Sequence, residues 1–86
     1  RRSFRPRGRR ALRVELRRKG IVDEVIEDVL ENVDELADAR RATNHQASRL
    51  RGISLHERRK KLREFLMRRG FEYEVVSDVI DELVTR

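Results

Sequence analysis

Two runs of cationic side chains carry the strongest chemical signal in these 86 residues. Arg10, Arg13 and Arg17 follow the spacing i, i+3, i+7, which puts them on one face of a helix, opposite Leu12 and Leu16. Lys60 and Arg63 repeat the first two of these positions in a second helix, and Arg68 follows them in its last turn. A cationic stripe of this kind can neutralise phosphates or dock on an acidic protein surface. Reading of particular bases would call for Asn or Gln beside Arg on the same helix. The amides here are Asn32, Asn44 and Gln46, and none lies on either basic run.

Other reactive residue types do not assemble into a site. Ser54 and His56 are near in sequence, but two residues apart at a helix start they do not face each other as nucleophile and base. Ser54 already has a role as a helix cap, and no acid stands ready to orient the histidine. His45 and His56 fall on different predicted helices with no cysteine to complete a metal set, so solvent-facing histidines are the expectation. Gly20 and Gly70 follow helices and do not form a glycine-rich loop that leads into one, which makes them helix stops and not phosphate cradles. Phe65 belongs to an apolar stripe. Phe71 is expected to pack at a helix–helix corner and Tyr73 to reach water, so no base-stacking platform flanks the cations. The chain reads as a non-enzyme without cofactor or metal.

The elements that carry the cations form an internal repeat. Residues 9–33 align with 59–83 without a gap, and ten of the 25 positions are identical. Each copy opens with a basic helix bearing a thin apolar stripe, Leu12/Leu16 in one and Leu62/Phe65/Leu66 in the other. Arg18-Lys19 and Arg68-Arg69 complement the negative end of their helix, and a glycine then closes it. A second helix follows, in which Val25, Ile26, Val29, Leu30 and Val33 correspond to Val75, Val76, Val79, Ile80 and Leu83.

Helices are therefore predicted over about 9–19, 23–33, 34–50, 55–69 and 73–85. The third carries a stripe of Leu36, Ala39, Thr43, Ala47 and Leu50, whose small members allow close packing. Spacing leaves open whether 23–50 is one helix or two, because no Gly or Pro interrupts it; a break near Val33-Asp34 is favoured by length. Ser54-Leu55-His56-Glu57 is a capping box for the fourth helix. Residues 1–8 read as a disordered basic arm, since Pro6 and Gly8 oppose a helix and the arginines repel one another. No alternation marks a strand, so the fold class is all-α, with about five helices in this chain. The chain begins on Arg1 and not on Met, as a cut or processed form would.

Composition limits the alternatives. Charged residues make up 44% and hydrophobic ones 37%, which suits small helical units and not an enclosed catalytic pocket. The absence of cysteine removes disulfides and thiolate metal sites and favours an intracellular, cytoplasmic setting. No apolar run has the length to span a membrane. The net charge of +6 is distributed in blocks. Residues 1–19 hold ten Lys/Arg and one acid, 20–39 eight acids and no Lys/Arg, 40–69 eleven Lys/Arg and two acids, and 70–86 five acids and one Arg. Internal pairing of basic with acidic helices is the bland explanation, and surface pairs of that kind contribute only about 0–1 kcal/mol each. The excess of cations is left to face water or a partner.

The order of these phrases resembles the RecX regulatory protein family. The likeness is carried by Leu12-Arg13 through Arg18-Lys19-Gly20-Ile21, then Glu24-Val25-Ile26 and Val29-Leu30, and above all by Leu62 through Phe71 with Val75-Val76 and Val79-Ile80. It covers about residues 9–84, and it implies tandem three-helix repeats: the disordered basic arm at 1–8 is followed by the last two helices of a partial repeat, 9–33, and a complete repeat, 34–86. The resemblance implies a curved array of three-helix repeats, usually three, that binds the RecA recombinase filament, lodges in its groove, and restrains strand exchange and ATP hydrolysis in recombination, DNA repair and the SOS response. It implies no catalytic residues. Its basic surface maps onto Arg10, Arg13, Arg17, Lys60, Arg63 and Arg68. The expected partners are the RecA filament and DNA phosphates, without membrane, for a monomer whose truncated face could pair two copies. The alternative is a general nucleic-acid-binding helical module.

Overall fold

The computed structural model describes residues 7–85, and its described part is helical with no strand. Helix α1 spans Arg9–Arg18, α2 Asp23–Glu31, α3 Glu35–Ala47, α4 Leu55–Arg68 and α5 Tyr73–Thr85; a single 3₁₀ turn, Ser48–Leu50, closes α3. The five predicted helices are all present, with ends within a few residues of the expectation. Gly20 and Gly70 stop α1 and α4 at φ 85° and 87°, a conformation open to glycine at no side-chain cost. Ser54 caps α4 by accepting the Glu57 N–H at 3.1 Å, as the capping box requires.

The question of one helix or two over 23–50 is decided by Asp34. Its carboxylate accepts the Ala37 N–H at 3.1 Å and starts α3 as a new helix, after α2 has ended on Glu31. Asp34 followed by an apolar-periodic run is the ordinary N-cap signature, readable in the sequence but unused there.

Helices α3, α4 and α5 surround one core: Ala39, Ala42, Leu62, Phe65, Leu66, Phe71, Val76, Val79 and Ile80. Leu36 and Leu50 of the predicted α3 stripe pack at its margin, while Ala42, outside that stripe, is buried in it. Phe71 is fully buried and Tyr73 is exposed, both as expected. Helices α1 and α2 form a hairpin joined to this unit, with Ile26 and Leu30 as its buried residues. The molecule measures 44 × 29 × 17 Å along its principal axes.

The joint between hairpin and three-helix unit is built largely from backbone. The Gly8 N–H donates to the Arg69 carbonyl at 3.0 Å and the Arg10 N–H to the Gly70 carbonyl at 3.1 Å. The fit is so close that a Cβ on Gly8 would lie 2.2 Å from Gly70 O and Phe71, and one on Gly70 would lie 2.5 Å from Ala11 Cβ. Most of the arm expected over 1–8 lies outside the described residues, but its last member departs from that expectation. Gly8 is buried and anchored, because the carbonyls that end α4 need donors and the glycine lets the chain come near enough to supply one.

One side chain completes the joint. Glu35, in the first turn of α3, keeps only 2% of its side chain exposed. Its Oε2 accepts the Arg9 N–H at 3.0 Å and the Glu72 N–H at 3.1 Å, so it serves the starts of α1 and α5 together. The Arg9 guanidinium lies 3.8 Å from Glu35 Oε1 and donates to the Val33 carbonyl at 3.0 Å. A carboxylate is tolerable in so dry a place because it meets two helix N-termini and a cation.

Candidate functional site

The two basic helices, alike in sequence, hold their cations differently. On α1, Arg13 makes a two-pronged contact with Glu27 of α2, at 3.0 and 3.3 Å, and Arg17 bonds Asp23 at 3.0 Å. Arg7 pairs with Glu15. The contact with Glu27 raises the pKa of Arg13 further and draws the Glu27 carboxyl below its ordinary range; in each case the side-chain hydrogen bond is the leading cause. The bland explanation of the charge blocks therefore holds for Arg13 and Arg17 of α1 with Glu27 and Asp23 of α2, while Arg18 and Lys19 stay exposed and make no ion pair among the described residues.

On α4 it does not hold. Lys60, Arg63 and Arg68 are exposed and make no ion pair among the described residues. The repeat register gives the reason. The residue that corresponds to Glu27 is Ser77, and the one that corresponds to Asp23 is Tyr73. Glu82 of α5 turns toward α3 and holds Arg40 with contacts of 2.7–3.3 Å, which raises the pKa of Arg40. Arg69 stacks over the Phe65 ring at 4.9 Å.

Arg10 is a third case. Its guanidinium donates to the Met67 and Phe71 carbonyls at 3.1 and 3.0 Å, across the joint. Its charge is thus held in place by the end of α4 with no carboxylate bound to it. The result is an open trough of about 550 Å³ between α1 and the end of α4. Arg10, Arg13 and Arg68 stand around it, and Ala11, Val14, Met67 and Gly70 form its floor.

Of the six cations singled out from sequence, the trough brings together Arg10, Arg13 and Arg68. Lys60 and Arg63 lie on the α4 face that leads up to Met67, at i, i+3, i+7. Arg17 is turned away to Asp23. Val14, half exposed, was missed by the sequence reading. Its signal was an apolar residue on the polar side of α1, between Arg10 and Arg17. No group of three or more His, Asp or Glu able to hold a metal ion occurs among the described residues, and no helix there is long and apolar enough to cross a membrane.

Comparison with known proteins gives this geometry a lineage. The model of the third three-helix domain of RecX matches residues 26–80, and that of the second three-helix domain matches residues 1–30. This chain belongs to the RecX family. Curated relatives named "Regulatory protein RecX" include one from Prosthecochloris aestuarii, 39% identical over 80 residues, which cover 93% of this chain and 52% of the relative. The protein of that name from Pelodictyon phaeoclathratiforme is 35% identical over 79 residues, 92% of this chain and 49% of its own. A Mycobacterium protein of the same name (strain KMS) is 37% identical over 81 residues, 86% of this chain and 44% of its own. The chain spans about half the length of these RecX relatives. No solved structure matches it significantly.

Proposed function

We propose that this chain is the part of a RecX regulator that meets the RecA–DNA filament, lodging in its groove and restraining strand exchange and ATP hydrolysis. The observation that carries the reading is the unbalanced charge of α4. Lys60, Arg63 and Arg68 make no ion pair among the described residues, whereas Arg13 and Arg17, at the repeat positions of Arg63 and Met67, are held by carboxylates of α2. Free guanidinium and ammonium groups on a rigid helix suit phosphates or acidic protein surface. The trough at the end of α4 adds Arg10, fixed in position by two carbonyls. Arg13 and Arg17 act within the molecule in this reading, as the pins that hold α1 to α2.

Under the same proposal α1 and α2 are the last two helices of a three-helix repeat, and α3–α5 a complete one. Val29 and Val79 occupy equivalent positions, yet Val79 is 2% exposed beneath α3 and Val29 is 46% exposed. A helix equivalent to α3 would cover Val25 and Val29 in the longer protein.

The test is RecA-dependent ATP hydrolysis on single-stranded DNA. Hydrolysis should fall as the chain is added, and Lys60→Glu with Arg63→Glu should restore it. Unchanged hydrolysis at stoichiometric amounts of the intact protein would rule the reading out.

A further inference from the structure

We propose that the trough between α1 and the end of α4 takes a short acidic peptide segment that carries one large apolar side chain, the carboxylates meeting Arg10 and Arg68 and the apolar group entering between Val14 and Met67. The inference rests on the regulatory reading above and names the chemistry of the partner at one part of that surface.

Three observations lead there. The floor is apolar and open to solvent: Val14 is 50% exposed beside Ala11 on α1, and Met67 of α4 lines the same trough. A methionine with a valine forms an adaptable apolar seat. The rim is cationic without counter-charge: Arg68 makes no ion pair among the described residues, and Arg10 donates only to carbonyl oxygens. The walls are fixed, since α1 is tied to the α4–α5 corner by the Gly8 and Arg10 backbone bonds and by Glu35.

Nucleic acid suits this place less well. Its interfaces are polar and heavily charged, and they draw on cations with donors to spare. Here Arg13 is committed to Glu27, and Arg10 spends one amino group on two carbonyls and keeps the rest of its guanidinium, so the rim offers two guanidinium groups, Arg10 and Arg68, enough for a pair of carboxylates but few for a run of phosphates. A phosphate backbone would leave Val14 and Met67 without cover. A peptide with an apolar residue among carboxylates satisfies floor and rim together, and a trough of about 550 Å³ holds such a side chain with its neighbours. Phosphate contact, where it occurs, belongs to Lys60 and Arg63 farther along α4.

The full chain, labelled with ¹⁵N, would be titrated with three probes: a synthetic peptide of Glu and Asp around a single Leu, the same peptide with Ala for Leu, and a thymidine oligonucleotide of equal charge. The Leu peptide should shift the amide signals of Val14 and Met67 and bind about tenfold more tightly than the Ala peptide, the ratio expected for burying one aliphatic side chain. Val14→Ser should remove that advantage, and Arg68→Glu should weaken both peptides. Both residues are exposed, so neither change threatens the fold. Equal binding of the two peptides, an unaffected Val14→Ser variant, or displacement of the Leu peptide by the oligonucleotide would each overturn the inference. RecA-dependent ATP hydrolysis is read on the same samples. Restraint that persists where the peptide fails to bind defeats the trough proposal alone. Peptide binding without restraint defeats the regulatory reading alone.

Discussion

Helices α1 and α4 begin from nearly the same words, yet they have opposite electrostatic fates. Arg13 and Arg63 are the same position of the repeat. Arg13 meets Glu27 across the hairpin; the position equivalent to Glu27 is Ser77, and Arg63 makes no ion pair among the described residues. Arg17 meets Asp23, whereas its counterpart is Met67, at the floor of the trough. A repeat therefore fixes where side chains point, but its second helix decides whether a cation is spent within the fold or offered outward. The glycines differ in the same manner. Gly20 and Gly70 share a positive φ, but nothing lies within 4 Å of a Cβ built at Gly20, while one at Gly70 would strike Ala11. One glycine only turns the chain; the other also lets two units touch.

The largest expected effect comes from removing what joins the halves. Glu35→Ala leaves the Arg9 and Glu72 N–H groups without their acceptor in a buried place and should destabilise the fold by about 2–6 kcal/mol, at roughly 1–3 kcal/mol per unsatisfied group. Glu35→Gln keeps one oxygen acceptor and should lose less. Chemical denaturation of both variants checks this, and equal losses would show that the charge and not the acceptor matters.

Next comes the pair of glycines. Gly20→Ala should lose about 1–2 kcal/mol for its left-handed backbone. Gly70→Ala should lose that and a further ~1–3 kcal/mol for overpacking against Ala11. Thermal melts of the two variants would erase the distinction if they coincided.

An exchange of charge partners sharpens the comparison further. Ser77→Glu supplies α5 with the acid that α2 has and should quench Arg63. Glu27→Ser should release Arg13. The first should lower the salt dependence of binding to single-stranded DNA by about one phosphate contact and the second raise it by about one. Stability should change little in either, as for exposed pairs. A salt-series titration reads both. Slopes that do not move would mean that Arg63 is not on the binding face.

The smallest effect is the response to acid. Because Arg13 holds the Glu27 carboxyl below the range of an unfolded glutamate, about 4.3, the pair contributes fully above that value. Its contribution is lost as pH falls through the lower, folded pKa. Glu27→Ser should flatten that part of the acid limb in a plot of melting temperature against pH, and Ser77→Glu should steepen it.

Much of this was legible beforehand. Helical spacing gave five helices, the repeat gave the equivalence of 9–33 and 59–83, and Gly20, Gly70 and Ser54 marked ends that the structure keeps. These are local matters: periodicity, a backbone angle, a cap three residues from its donor. Even the unequal pairing was written in the register, in Ser77 opposite Glu27 and Tyr73 opposite Asp23, once the copies are compared helix by helix.

The joint and the trough could not be read in that way. Glu35 stood among eight acids, and only the approach of two helix starts, 26 and 37 residues away, makes it a buried acceptor. Gly8 read as a helix breaker, and its burial depends on the carbonyl of Arg69, sixty-one positions on. Arg10 looked like one cation of a stripe; two distant carbonyls fix it beside Arg68. Sequence determined the helices and the register of their charges, because each depends on neighbours a turn away or on the matching position of the repeat. Tertiary structure decided the joint and the trough, because both depend on groups brought together only when the chain has packed.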